Sequence, residues 1–315
     1  MGEFSKKVGE HGELIVKNFL SMIGWLSVQE GETIPCEHGE KHKESSNAKT
    51  THGIDAFYSV KSQLQDFTLD NIVVSVKYTS KPYPNAPSTK FKSHLKDLAN
   101  TLECFMYSDF RAENNQRYEM TGIKSARDIG VLFWLTSDRE SQQDVISKVF
   151  NVELDKSLIF SSMHVIDNSR ASFIYDSISY IKKRFSEKDI NFHYAFSSSN
   201  YSDSTIKKYG KIMPVEYLTS NVIPFRLVES TTGKVSFCLV CRDGFSEESI
   251  NRLIYLASDV SQDFTDDFVF LFPDYDHLKH QSIVSGAGRM QEELLNKLNV
   301  EVYSFNESFE GLIHG

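Results

Sequence analysis

The sequence predicts an α/β protein, a mixed central sheet flanked by helices and followed by a second, smaller α/β unit. An amphipathic segment over residues 9–25 precedes two short apolar strands near 54–58 and 71–78. Beyond them strand-like and helix-like segments alternate, the pattern of an α/β core. A serine-rich, apolar-poor stretch at 197–204 then separates this run from another alternating set, which places one domain at 1–196 and another at 205–315.

Placed at about 100° per residue, Val16, Phe19, Leu20 and Ile23 form one helical stripe. Glu13 lies at its edge, Glu10 falls towards solvent, and Gly24-Trp25 ends the helix. A polar segment from 31 to 51 leads to the strand at 54–58. In the strand at 71–78, Ser75 and Lys77 share a face with Val73, while Ile72, Val74, Val76 and Tyr78 share the other. A loop carrying Pro82, Pro84 and Pro87 precedes a helix from about 89 to 107. Residues 131–135 read as a buried strand, 141–150 as a helix, 163–166 as a strand, and 169–185 as a helix capped by Asn168 or Ser169. In the second unit, strands at 223–228 and 235–241 pair around Ser230-Thr-Thr-Gly233, and a helix opens at Ser246. A buried strand at 268–272, a helix at 290–298 and a strand at 300–305 complete it.

With 315 residues, 40% of them hydrophobic, the chain can bury two cores. Its net charge of −9 excludes a protein that coats nucleic acid by bulk charge, so any such contact must be local. Four cysteines without dense spacing suit a reducing compartment. No apolar signal segment opens the N-terminus and no apolar run reaches the length of a membrane span. A cytoplasmic location without a membrane partner is therefore expected.

Chemistry concentrates in Gly53-Ile54-Asp55 and, after 19 intervening residues, in Ser75-Val76-Lys77. An acid on one strand and a lysine on the next can bind a divalent cation and orient a water towards phosphate. Either residue alone is an ordinary feature of a solvated strand.

Taken together, Glu13, Asp55, Ser75 and Lys77 resemble the PD-(D/E)xK nuclease superfamily, by motif over roughly residues 9–107 and by strand order to about 190. The resemblance implies a restriction-endonuclease-like core and a metal-dependent nuclease that hydrolyses phosphodiester bonds. Mg²⁺, or Mn²⁺ in its place, would be held by Glu13, Asp55 and the Val76 carbonyl. Lys77 would steer the attacking water and the scissile phosphate. Ser75 departs from the pattern, which has Glu or Gln there. Some restriction enzymes of the superfamily share Ser-x-Lys and carry the acid on the following helix, where Glu103 and, second to it, Asp97 stand in this chain. The implied catalytic set is Glu13, Asp55, Ser75, Lys77 and Glu103. Similar bacterial proteins serve in restriction and anti-phage defence. The resemblance thus implies nucleic acid as substrate, DNA before RNA or tRNA. A protein partner from the same operon and a homo-oligomer are both compatible with it, and the C-terminal domain would serve recognition or partner docking. The alternative is a nuclease-fold binding module or complex subunit whose catalysis is lost or weakened, with Ser75 as the mark of that loss.

Cys36, His38, His42 and His52 offer Zn²⁺ ligands at a spacing that fits no standard knuckle. A polar loop uses the same residues, and His52 could instead touch substrate phosphate. Cys238 and Cys241 lie three apart on a strand, so they face opposite sides as core thiols. Gly286-Ala-Gly288 reads as a turn and cap. Lys77, Lys81, Lys90, Lys92 and Lys96, interleaved with Tyr78 and Tyr83, suit phosphate tracking and stacking. Lys182-Lys-Arg184 and Lys207-Lys208 are further cationic patches. Arg170 in Asp167-Asn-Ser-Arg170 serves either a phosphate or a helix cap.

Overall fold

In a computed structural model, which describes residues 2–43, 46–138, 144–200, 202, 207–261, 264–265, 267–287 and 299–306, the N-terminal stripe folds as α1 (Gly2–Met22). Val16, Leu20 and Ile23 are buried, and the Phe19 ring meets Phe133 edge-on at 5.6 Å. Gly24 stops the helix with a left-handed φ of +85°, which a side chain would resist, and Trp25 then stacks on Tyr58 at 5.2 Å.

The chain forms two compact units, Met1–Ser172 and Phe173–Gly315. In the first, β1 (Gln29–Pro35), β2 (Thr51–Lys61) and β3 (Thr68–Thr79) run as an antiparallel meander. The chain then crosses through α2 (Ser88–Phe105) and α3 (Asp109–Gln116) to β4 (Ser125–Thr136), which lies parallel to β3. Parallel β5 (Ser162–Ile166) completes a mixed sheet of order β1-β2-β3-β4-β5. The β3 alternation covers both faces. Gly12 of α1 lies against Tyr78, while Val73 joins a core with Phe91, Leu95, Leu98, Leu102 and Phe105 of α2. Burial of each such side chain contributes about 1.5–3 kcal/mol, so this face anchors α2.

Two elements here were hidden in polar sequence. β1 is an edge strand of which only Ile34 is buried, so it shows no alternation. α3 packs through polar groups: Asn71 Nδ2 donates to Asn115 and Asp128, Asn114 donates to Asn71, and Arg111 pairs with Asp128 at 2.8 Å. The helix expected at 141–150 is, within the described residues 144–150, a single 3-10 turn at Ile146–Lys148. The helix α4 (Asn168–Arg184) is capped one residue ahead of the expected position, since Asp167 Oδ1 accepts the Arg170 N–H at 2.9 Å.

The second unit holds a mixed sheet of order β11-β10-β9-β8-β6-β7. Its strands are β6 (Lys188–His193), β7 (Tyr209–Gly210), β8 (Val222–Glu229), β9 (Val235–Cys241), β10 (Asp267–Phe272) and β11 (Asn299–Ser304). Helices α5 (Glu247–Ser261) and α6 (His277–Ala287) complete it. Because β6 pairs with β8 from Lys188↔Glu229 to Phe192↔Phe225, this unit begins ahead of the serine-rich stretch at which the sequence suggested a boundary. Cys238 and Cys241 are buried free thiols. The helix expected at 290–298, and Gly288, lie outside the described residues.

Candidate active site

Three close contacts build the site at the far end of β3. First, α1 approaches the sheet at Gly12, where a Cβ would lie only 2.3 Å from the Tyr78 Cβ, so no larger residue fits. That approach carries the next residue, Glu13, into the field of Asp55. Glu13 remains exposed, yet its carboxyl is held above the usual carboxylate range. Partial burial is the main cause, followed by the charge of Asp55, with Glu10 and Glu30 adding to it.

Second, the β2–β3 ladder ends at Ala56↔Val74, and Asp55 fills the fork beyond it. Its Oδ2 accepts the Val76 N–H at 2.6 Å, replacing the strand partner. Ile54 and Phe57, three apart, both face the α2 core, so the side-chain alternation slips once at Asp55. The neighbouring β1 pairs Glu30↔Ala56 and Glu32↔Ile54, which sets Gly31, at φ +68°, opposite the aspartate. In an extended strand the N–H and C=O of one residue point the same way, so the Val76 carbonyl faces the same fork.

Third, Lys77 points towards α2 and donates to Asp97 Oδ2 at 2.8 Å, while Lys49 reaches Asp97 Oδ1 at 3.2 Å. Burial opposes ionisation of Asp97, but the hydrogen bond and charge of Lys77, then Lys49, outweigh it and hold the carboxyl below its usual range. His94, one turn earlier on α2, is pushed down to about 4 by burial and then by the charges of Lys77 and Lys90.

Glu103, the acid expected to compensate for Ser75, does not join this group. It is buried nearer the end of α2, with Lys41 Nζ 2.7 Å from both of its oxygens and His42 Nε2 at 3.1 Å. The helix acid that meets Lys77 is instead Asp97. Nor do the tyrosines form a stacking platform. Tyr78 packs beneath α1 against His11, and the Tyr83 hydroxyl sits 2.6 Å from the Trp134 carbonyl oxygen. Lys81, Lys90, Lys92 and Lys96 are exposed as expected. His52 is buried and faces Thr101, away from solvent and from any substrate phosphate. Asp167 caps α4, as noted above, and Arg184 lies over the Tyr303 ring at 4.8 Å.

A five-stranded mixed sheet with a helix on each face and a fork between β2 and β3 is a PD-(D/E)XK nuclease fold. Residues 1–170, just over half of the 315-residue chain, match the family described as GAPS4 protein PD-(D/E)XK nuclease domain, and the chain belongs to that family. Comparison with curated proteins and with solved structures returns no match.

Proposed function

We propose that the protein is a divalent-cation-dependent nuclease that hydrolyses phosphodiester bonds of nucleic acid, DNA foremost, in bacterial anti-phage defence. The observation that carries this reading is the convergence of Glu13 and Asp55 beside the Val76 backbone, with Lys77 two residues along the same strand. Two carboxylates close enough to raise the pKa of one of them, next to a carbonyl oxygen, make an all-oxygen donor set of the hard kind that Mg²⁺ and Mn²⁺ take. Glu13, Asp55 and the Val76 carbonyl would hold the ion. When bound, the cation polarises the scissile phosphate and lowers the pKa of its water.

The chain's own groups do the rest. The Lys77 ammonium, oriented by Asp97, offers a charge-assisted hydrogen bond to a phosphate oxygen or to the attacking water. Asp97 supplies, from the helix, the carboxylate that Ser75 lacks. Lys90, Lys92 and Lys96, exposed along α2, give a chain of net charge −9 a local cationic track for the phosphate backbone. Among the described residues no helix is long and apolar enough to cross a membrane, which fits a substrate met in solution. The second α/β unit is assigned recognition or partner docking.

The test is cleavage of plasmid DNA and of total RNA by the full chain, with and without Mg²⁺ or Mn²⁺ and with its operon neighbour coexpressed. Metal-dependent cleavage lost in both Asp55→Ala and Lys77→Ala supports the enzyme. An inert wild type that binds nucleic acid without metal would instead identify a binding module.

A further inference from the structure

We propose that the nuclease unit holds a structural Zn²⁺ ion, ligated by Cys36 Sγ, His42 Nδ1, His52 Nε2 and Cys104 Sγ. These four donor atoms all lie within 4.8 Å of one another, and all but the half-buried Cys36 are buried. A tetrahedron with Zn–S of about 2.3 Å and Zn–N of about 2.0–2.1 Å sets its sulfurs about 3.8 Å apart, its nitrogens about 3.3 Å apart and mixed pairs about 3.6 Å apart. Here the two sulfurs are 3.9 Å apart, the two inward nitrogens 3.3 Å, and His42 Nδ1 lies 3.5 Å from each sulfur. The sulfur separation is far beyond a disulfide bond, and both thiols are free.

The outward nitrogens fix what the inward ones carry. His42 Nε2 lies 3.1 Å from the Glu103 carboxylate, which makes it the protonated nitrogen and leaves Nδ1 a bare lone pair. Thr101 donates its hydroxyl hydrogen to the Asp97 carbonyl at 2.9 Å, so its oxygen is left to accept from His52 Nδ1 at 3.4 Å. His52 Nε2 is then a lone pair as well. Two imidazole lone pairs facing each other at 3.3 Å repel unless a cation lies between them. With four protein ligands no coordination position is left for water, so the ion is structural, of a chemistry unlike the all-oxygen donors at Asp55.

The ion would clamp three parts of the unit: the loop between β1 and β2, the start of β2, and the end of α2. Asp55 stands three residues after His52, and Asp97 seven before Cys104, so both site acids are carried by clamped elements. His38, nearly half exposed and 3.6 Å from Glu103, lies outside the ligand set.

The experiment is elemental analysis of the untagged full-length chain, purified under reducing conditions without chelator. Expected are about one zinc per chain and its release when a mercurial reagent caps the thiols. The cobalt-substituted protein should show the visible bands and thiolate charge transfer of a tetrahedral S₂N₂ site. Cys104→Ser and His52→Ala lose the metal, while His38→Ala keeps it. Should those two variants fail to fold, the cobalt spectrum and Glu103→Gln decide. That substitution of a hydrogen-bonding partner should weaken zinc about 10–100-fold in competition with a chelator. A folded wild type with no stoichiometric metal and a melting temperature indifferent to zinc overturns the site, as does zinc that survives Cys36→Ser/Cys104→Ser. Iron at the same ligands overturns the choice of metal. None of these readouts requires cleavage, so the proposal stands or falls apart from the nuclease reading.

Discussion

At the residue scale, Lys77 and Asp97 act as a pair. Asp97→Asn keeps a polar side chain beside the ammonium but removes its counter-charge. Cleavage is expected to fall at least about 100-fold, with folding retained, as judged by single-turnover rates on plasmid DNA. An unchanged rate would sink the proposal that Asp97 stands in for the acid missing at Ser75. Gly12 gives a second prediction of another kind. Gly12→Ala places a methyl 2.3 Å from the Tyr78 Cβ, so α1 must shift, at a cost of about 1–3 kcal/mol readable in urea titration. The same shift moves Glu13, and metal affinity should fall with stability.

At the element scale, α2 shows what a sequence discloses and what it withholds. Leu98→Ala, in the middle of its apolar face, is expected to cost about 2–5 kcal/mol. That face was legible because Phe91, Leu95, Leu98 and Leu102 repeat with helical spacing, and so were α1 and the strand carrying Ser75 and Lys77. The polar contacts of the same helix were not. Asp97, Glu103 and Cys104 are separated by less than two turns, and periodicity alone cannot say which acid reaches Lys77 and which is buried beside Lys41. Cys104 lies 68 residues from Cys36, so no local spacing connects them. The signal that was present is the density of Cys36, His42 and His52 in one short segment; the fourth donor had to come from the fold. β1 and α3 escaped for a related reason, since an edge strand and a helix held by amides carry little apolar pattern.

At the scale of the whole molecule, each unit buries a histidine whose protonation is strongly opposed. His94 in the first and His193 in the second are both pushed down to about 4, chiefly by burial. In the unfolded chain each would titrate near 6.5. The unfolded state therefore binds protons first on acidification, so stability present above about pH 6.5 is lost as the pH falls towards 4, by up to about 3 kcal/mol for each histidine. Urea midpoints measured between pH 7.5 and 4.5 should fall over this window, and His94→Gln and His193→Gln should each flatten part of the slope. A profile that stays level in the wild type would contradict both assignments.

The aspartate lodged where β2 and β3 part holds a backbone amide and, in the proposed function, an ion as well, and the usual alanine scan confounds the two. Removing its carboxylate strips a half-buried amide of its acceptor as well as deleting a negative charge, and the first loss alone is worth about 1–3 kcal/mol. Asp55→Asn separates the two, because a carboxamide oxygen can still receive the amide hydrogen of residue 76. A well-folded but inactive asparagine enzyme, set beside a destabilised alanine one, would assign the defect to missing charge instead of a sprung hinge between strands.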